Sequence, residues 1–205
     1  MSRISHLILD FLSDFAGQAF CLLVVNLIRT NDNAEFASCL DSIRLCYTRI
    51  SHSQLFEIVQ TLEATNASDL LFFTDRCQVY KAKASDFGDT KASVLGDYIP
   101  AKLGFDEGES VAAVCLPGDY SGSMLFLFAN GKAARVELSA YQTKSNRRKL
   151  TGAYSDRSEL RGIFLLQEDV QLVLYSTEGR ALILQTAQLA PKTTRTTLGV
   201  AVLTL

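Results

Sequence analysis

Lys144, Arg147, Arg148 and Lys149 fall within six residues of one another, with no acidic residue among them. Cations at this density neutralise phosphates and release counterions, which yields affinity without sequence readout. The stretch runs into Gly152, and two others share its form. Lys91 precedes Gly96, and Lys192 and Arg195 precede Gly199. A second group, Lys132 and Arg180, directly follows Gly131 and Gly179. These two act either as phosphate contacts or as charged gatekeepers on strand ends. A single basic loop reads by default as solvated surface, whereas recurrence in three places favours contact with a polyanion.

Catalytic readings fare worse. Only His6 and His52 occur, so a histidine-based triad or a histidine-rich metal site is excluded from the region where the basic loops lie. The five cysteines, Cys21, Cys39, Cys46, Cys77 and Cys115, form no CxxC pair and are odd in number. They suggest neither a zinc site nor a disulfide framework, and a reducing cytosol is the simplest compartment. Acids such as Asp106, Glu107 and Glu109 sit at turn-like positions and read as solvated. Gly118-Asp119-Tyr120-Ser121-Gly122 lacks the phosphate-loop lysine and reads as a hairpin loop. No cofactor and no metal are expected. The net charge is −2, yet residues 144–205 carry nine basic and five acidic groups. A globally acidic chain still binds a polyanion where one rim concentrates its cations, because screening keeps electrostatics local.

The elements that must carry these residues repeat. Leu70–Phe73, Leu125–Phe128 and Leu172–Tyr175 are apolar runs, each followed by a tight turn and a second strand. Their turns centre on Cys77, Gly131 and Gly179, a period near 50 residues that points to propeller-like blades. Asn130-Gly131 is a strong hairpin signal because both residues tolerate positive φ. Cys77 stands where the other copies have glycine, so its turn must differ or carry strain. Residues 1–52 lack this pattern. Apolar residues from Ile4 to Phe15, and Phe36, Leu40, Ile43, Tyr47 and Ile50 in a second stretch, advance by threes and fours and predict helices. The apolar run Phe15–Ile28 is too short for a bilayer span, and the acids before it argue against a signal peptide. The expected organisation is a short helical segment over 1–52 and a mainly β domain over 53–205.

The β region resembles the C-terminal domain of the A subunit of bacterial type IIA topoisomerases, the gyrase and topoisomerase IV family. The resemblance rests on Ala64–Phe73, Tyr141–Lys149, Ala153–Asp156, and Pro191–Arg195 with Gly199-Val200. It implies a β-pinwheel, a propeller variant whose blades exchange strands, of which about three blades are visible. It also implies non-sequence-specific binding and bending of duplex DNA, as a non-catalytic part of an ATP-dependent enzyme. The family's wrapping signature, Gln-Arg-Arg-Gly-Gly-Lys-Gly, is absent, and Asn146–Gly152 is a degenerate form of it. Tyr154 lies in a blade loop and is not the family's catalytic tyrosine.

On this reading the DNA contacts are Lys91, Lys132, Lys144, Arg147, Arg148, Lys149, Arg180, Lys192 and Arg195. Implied partners are double-stranded DNA, the ATPase subunit, plus the remainder of the A subunit, in a bacterial cytoplasm close to the nucleoid. No membrane partner is expected, and a partial ring with open sheet edges is expected to self-associate. The rival reading is a propeller-like protein-interaction module with no DNA affinity.

Overall fold

A run in which every residue is apolar cannot alternate between a core and water; it suits a strand with a core on each face. The computed structural model, which describes residues 21–27, 42–50, 56–88, 96–143, 148–177 and 179–203, builds such strands. In chain order they are β1 (Cys21–Leu27), β2 (Ser42–Ile50), β3 (Phe56–Thr65), β4 (Asp69–Thr74), β5 (Gln78–Lys83), β6 (Asp97–Tyr98), β7 (Val111–Cys115), β8 (Ser123–Phe128), β9 (Lys132–Glu137), β10 (Lys149–Thr151), β11 (Leu160–Leu166), β12 (Gln171–Tyr175), β13 (Ala181–Gln185) and β14 (Val200–Ala201). A single short helix among the described residues, α1, spans Ile99–Leu103. None is long and apolar enough to cross a membrane.

Four antiparallel sheets result, ordered β3-β2-β1-β6, β10-β5-β4-β7, β11-β8-β9-β14 and β12-β13. Apolar cores lie between successive sheets. Leu70 and Phe72 of β4 join Tyr80, Ala82 and Ile99 in a first core with Ala64 of β3. Leu71 and Phe73 point the other way and meet Phe126, Val136 and Tyr141 in a second. Leu125 and Leu127 of β8 then meet Leu172, Leu174 and Leu184 in a third. Fully burying a leucine or phenylalanine side chain, as at Leu70, Phe72 and Leu125, contributes about 1.5–3 kcal/mol. Edge-on aromatic contacts of Phe73 with Phe126 and Tyr141, at 5.9 and 5.1 Å, fix the second core's geometry.

The repeat is visible in single hydrogen bonds. Seven residues beyond each turn centre, Ala84, Leu138 and Thr186 open a 3-10 turn. Their backbone N–H groups donate to Ser68, Gly122 and Val170 carbonyls, which occupy one register position in the three copies. Cys77 adopts φ 55, alongside 71 for Gly131 and 77 for Gly179, so the first turn keeps the left-handed shape with a side chain in place. The strain expected of that cysteine is therefore taken up rather than avoided.

Sheets are completed from a distance. The edge beside β1 is filled by β6, that beside β5 by β10, and that beside β9 by β14. Each filling strand comes after the next hairpin in the chain, which is the strand exchange implied by a pinwheel. The returning chain then seals the preceding turn: Ala153 N–H donates to the Cys77 carbonyl, and Val202 and Leu203 donate to that of Gly131.

Three expectations change. Residues 21–27 and 42–50 are strands, not helices. The first is rich in leucine and valine, and in the second Ile43, Leu45 and Tyr47 alternate as a strand requires. The helical steps had left Leu45 unexplained. This pair hydrogen-bonds to β3 and β6, so the first sheet draws on both sides of residue 52. The predicted helices over 4–15 and through Phe36 and Leu40 lie outside the described residues. Blades number more than three: three four-stranded sheets and a two-stranded one are present among the described residues. Finally, 118–122 is not a hairpin loop, because it joins β7 of one sheet to β8 of the next.

Candidate nucleic-acid interface

Two of the basic stretches, at Arg148 and Lys192, run along the edges made by strand exchange. The Arg148 carbonyl accepts from Lys81 N–H of β5 at 2.7 Å, leading the chain into β10. In the next repeat Lys192 lies against β9: its N–H donates to the Arg135 carbonyl and its carbonyl accepts from Glu137 N–H, both at 2.9 Å. Backbone pairing thus pins Arg148 and Lys192 to the equivalent edges of consecutive sheets. Both side chains are exposed and have no hydrogen-bond or ionic partner among the described residues. A cation held by its own backbone but free at its tip is what a phosphate contact requires.

Lys149 differs. Its Nζ lies 3.0 Å from Asp106 Oδ2 and 5.2 Å from the Tyr80 ring centre. The Tyr80 hydroxyl and the Asp106 carboxylate together hold its pKa above the ordinary lysine value. Asp106 in turn is held below the ordinary carboxylate value by hydrogen bonds from Gln78 and Lys149. Behind this pair sits Glu109, buried, accepting from Tyr80 Oη at 2.8 Å, from Asp106 N–H at 2.9 Å and from the Thr74 hydroxyl. Acids that read as solvated turn residues in the sequence thus anchor β10 to its sheet.

Arg195 is a brace. Its Nε donates to the Gly152 carbonyl at 3.2 Å and its Nη1 to the Ala140 carbonyl at 3.0 Å, joining the end of one 3-10 turn to the residue after β10. Arg180 is exposed in the turn after β12, where its N–H donates to Ser176 Oγ. Lys132 opens β9 and lines a groove of about 580 Å³ with Phe128, Ser155, Asp156, Arg157 and Leu198 among its walls. Lys91, Lys144 and Arg147 lie outside the described residues. Tyr154 is buried, stacked on Phe126, and donates to the Thr74 carbonyl at 2.6 Å, a packing role.

Sequence reasoning missed Arg157, which sits alone in Asp156-Arg157-Ser158 and gives no cluster signal. It also missed Arg135. That guanidinium joins Ser123, Asp169 and the Thr186 carbonyl at 2.7–2.9 Å and ties the third sheet to the fourth.

Among solved structures, the chain matches the C-terminal domain of DNA topoisomerase IV with a TM-score of 0.64, over 92% of this chain and 58% of that one, at 17% identity. The fold is that of the topoisomerase IV C-terminal domain. The E. coli ParC C-terminal domain agrees, with a TM-score of 0.56 over 87% of this chain and 69% of that one, at 9% identity. In sequence the chain is similar to the DNA gyrase A protein of Mycobacterium bovis (strain BCG / Pasteur 1173P2), 27% identical over 115 residues. Its counterpart in Mycobacterium tuberculosis (strain ATCC 25618 / H37Rv) is 26% identical over the same length. Each of these matches spans 55% of this chain and 14% of the gyrase protein. No family model matches the chain. The β-pinwheel implied by the sequence is thus the observed architecture, built as sheets that share strands.

Proposed function

We propose that this pinwheel binds and bends duplex DNA without reading its sequence, as the non-catalytic C-terminal part of a type IIA topoisomerase A subunit. The observation that carries the reading is the placement of Arg148 and Lys192, exposed and unpaired, on equivalent edges of consecutive sheets. Backbone pairing fixes their spacing, so DNA laid across both edges meets a cation on each blade. Bending DNA along such a rim costs on the order of a few kcal/mol, offset by the added phosphate contacts. The breakage chemistry, the nucleoid setting and the partnership with an ATPase subunit belong to the same proposal.

A salt titration against random-sequence duplex DNA tests it. Affinity should fall steeply between about 50 and 200 mM salt. Replacing Arg147, Arg148 and Lys192 by alanine together should shallow the slope by roughly three phosphate contacts' worth. An absence of binding at low salt would refute it and favour the protein-interaction reading. One observation points that way: Val173, Tyr175 and Ile183 form an exposed apolar face on the fourth sheet.

A further inference from the structure

Consecutive blades build the same corner with inverted charge. The pairings Thr74–Val111 and Phe128–Leu160 set the register between them. So do the hydrogen bonds Asp75 N–H to the Ser110 carbonyl and Ala129 N–H to the Glu159 carbonyl. By that register Ser155, Asp156, Arg157 and Ser158 occupy the positions of Asp106, Glu107, Gly108 and Glu109. The exchanged strands align too: Leu150 pairs with Val79 and Val200 with Ala133, each two residues past its turn centre. Gly199 therefore stands in the slot of Lys149.

In the earlier blade the cation of the corner is paired within it. Lys149 enters from β10 and meets Asp106, with Tyr80 and Glu109 behind. In the later blade both halves of that ion pair are gone. Serine replaces Asp106, glycine replaces Lys149, and a groove of about 580 Å³ lies at the corner. Lys132 enters it from β9, at the position of Gln78, and Arg157 from the loop, at the position of Gly108. Their backbone N–H groups donate to Asn130 Oδ1 and Ser155 Oγ, but neither cationic side chain has an ionic or hydrogen-bond partner among the described residues, and Asp156, which shares the groove, lies outside ion-pairing range of both. Lys81, Lys102, Arg135, Lys149 and Arg161 pair with carboxylates, and Arg148 and Lys192 stand unpaired on separate sheet edges, so two unpaired cations lining one concavity stand apart among the described residues. Ser155 and Thr196 also line it, and Leu198 adds an apolar wall.

We propose that this groove is a phosphate-binding site, in which Lys132 and Arg157 bracket a phosphodiester of bound DNA in place of the carboxylate that the preceding blade supplies from its own loop. The assignment rests on the DNA-binding reading above, and adds to the rim a contact set at the hairpin corner.

The test is the salt dependence of the full chain on random-sequence duplex DNA, for the wild type, Lys132→Gln with Arg157→Gln, and Ser155→Asp. Losing two phosphate contacts should shrink the drop in affinity from 50 to 200 mM salt by roughly tenfold, since each contact contributes a slope of about −0.9. Ser155→Asp restores the carboxylate of the preceding blade and should weaken binding. Ser155 is buried where Asp106 is exposed, so this variant should also melt lower than the wild type, whereas the double variant, at an exposed and a half-buried side chain, should not. If the wild type binds and both variants keep its slope and affinity, the groove assignment is overturned and the rim reading stands. If the wild type does not bind, both fall. A third arm uses inorganic phosphate at fixed ionic strength. If phosphate raises the melting temperature of the wild type but not of the double variant, and the DNA slopes coincide, the groove serves small anions and the DNA assignment is overturned.

Discussion

Arg195 offers the sharpest test, because the sequence assigns it to DNA and the structure assigns it to the fold. Its guanidinium bridges the carbonyls of Ala140 and Gly152. Arg195→Ala removes two charge-assisted bonds, each contributing about 1.5–3 kcal/mol when fully buried. The side chain is only half-buried, so water replaces part of the loss. A net destabilisation of about 2–3 kcal/mol is expected, a fall in melting temperature of roughly 4–12 °C for a chain of this size. Urea unfolding followed by tyrosine fluorescence measures it cleanly, since there are seven tyrosines and no tryptophan. Arg195→Lys keeps the charge but not the planar fork and should recover little of the loss. The salt slope for DNA should stay within about half a contact of the wild type in both variants. The reasoning fails if Arg195→Ala unfolds at the wild-type urea concentration and sheds a full contact's worth of slope, for then the guanidinium serves phosphate.

Three further outcomes are expected. Asp106→Asn should release Lys149 and strengthen DNA binding about two- to fivefold at low salt. Because Asp106 titrates below its ordinary value of about 3.9, its stabilising contribution is present above that pH and lost as pH falls through the lower folded value. The urea midpoints of wild type and variant should therefore converge in strong acid, and a constant gap between them would contradict the pairing. Cys77→Gly should be more stable than Cys77→Ala by about 1 kcal/mol in urea, because both lose the thiol but only glycine relieves φ 55. Equal stability would mean the turn is not strained. Tyr175→Lys with Ile183→Lys should lower the apparent mass in light scattering at high concentration. An unchanged mass would remove the fourth sheet's exposed face from any self-association.

The hairpin repeat was legible in the sequence because it combines three independent signals: an all-apolar run, a residue able to take positive φ, and a fixed interval. The hydrogen bonds of Ala84, Leu138 and Thr186 fall in the register that the turn centres define. The first sheet was not legible, because Ile43, Tyr47 and Ile50 satisfy helical steps as well as a strand does, and only pairing with β3 decides between them. Nor was the loop register. Gly152 and Gly199 look equivalent in sequence, yet Gly152 follows β10 whereas Gly199 precedes β14. Strands of two or three residues carry too little pattern to align by themselves. The fate of each cation was beyond reach for a related reason. Whether a lysine meets solvent, as at 192, or a carboxylate, as at 149, depends on a loop some forty residues away that sequence spacing does not bring near.

Strand exchange has a consequence for the nascent chain. As β5 leaves the ribosome its outer edge stays unpaired until β10 has been made, and β9 waits in the same way for β14. Each sheet is thus finished by material translated after its successor has begun to form. An exposed edge held open through that interval is a template for the wrong partner, including the same strand on a neighbouring polysome-bound chain. The basic residues at these edges then have an earlier duty than any ligand. Lys83 on β5 and Lys132 on β9 lie along the rows that await completion, and charge at such an edge disfavours pairing with a second half-built copy until the right strand arrives.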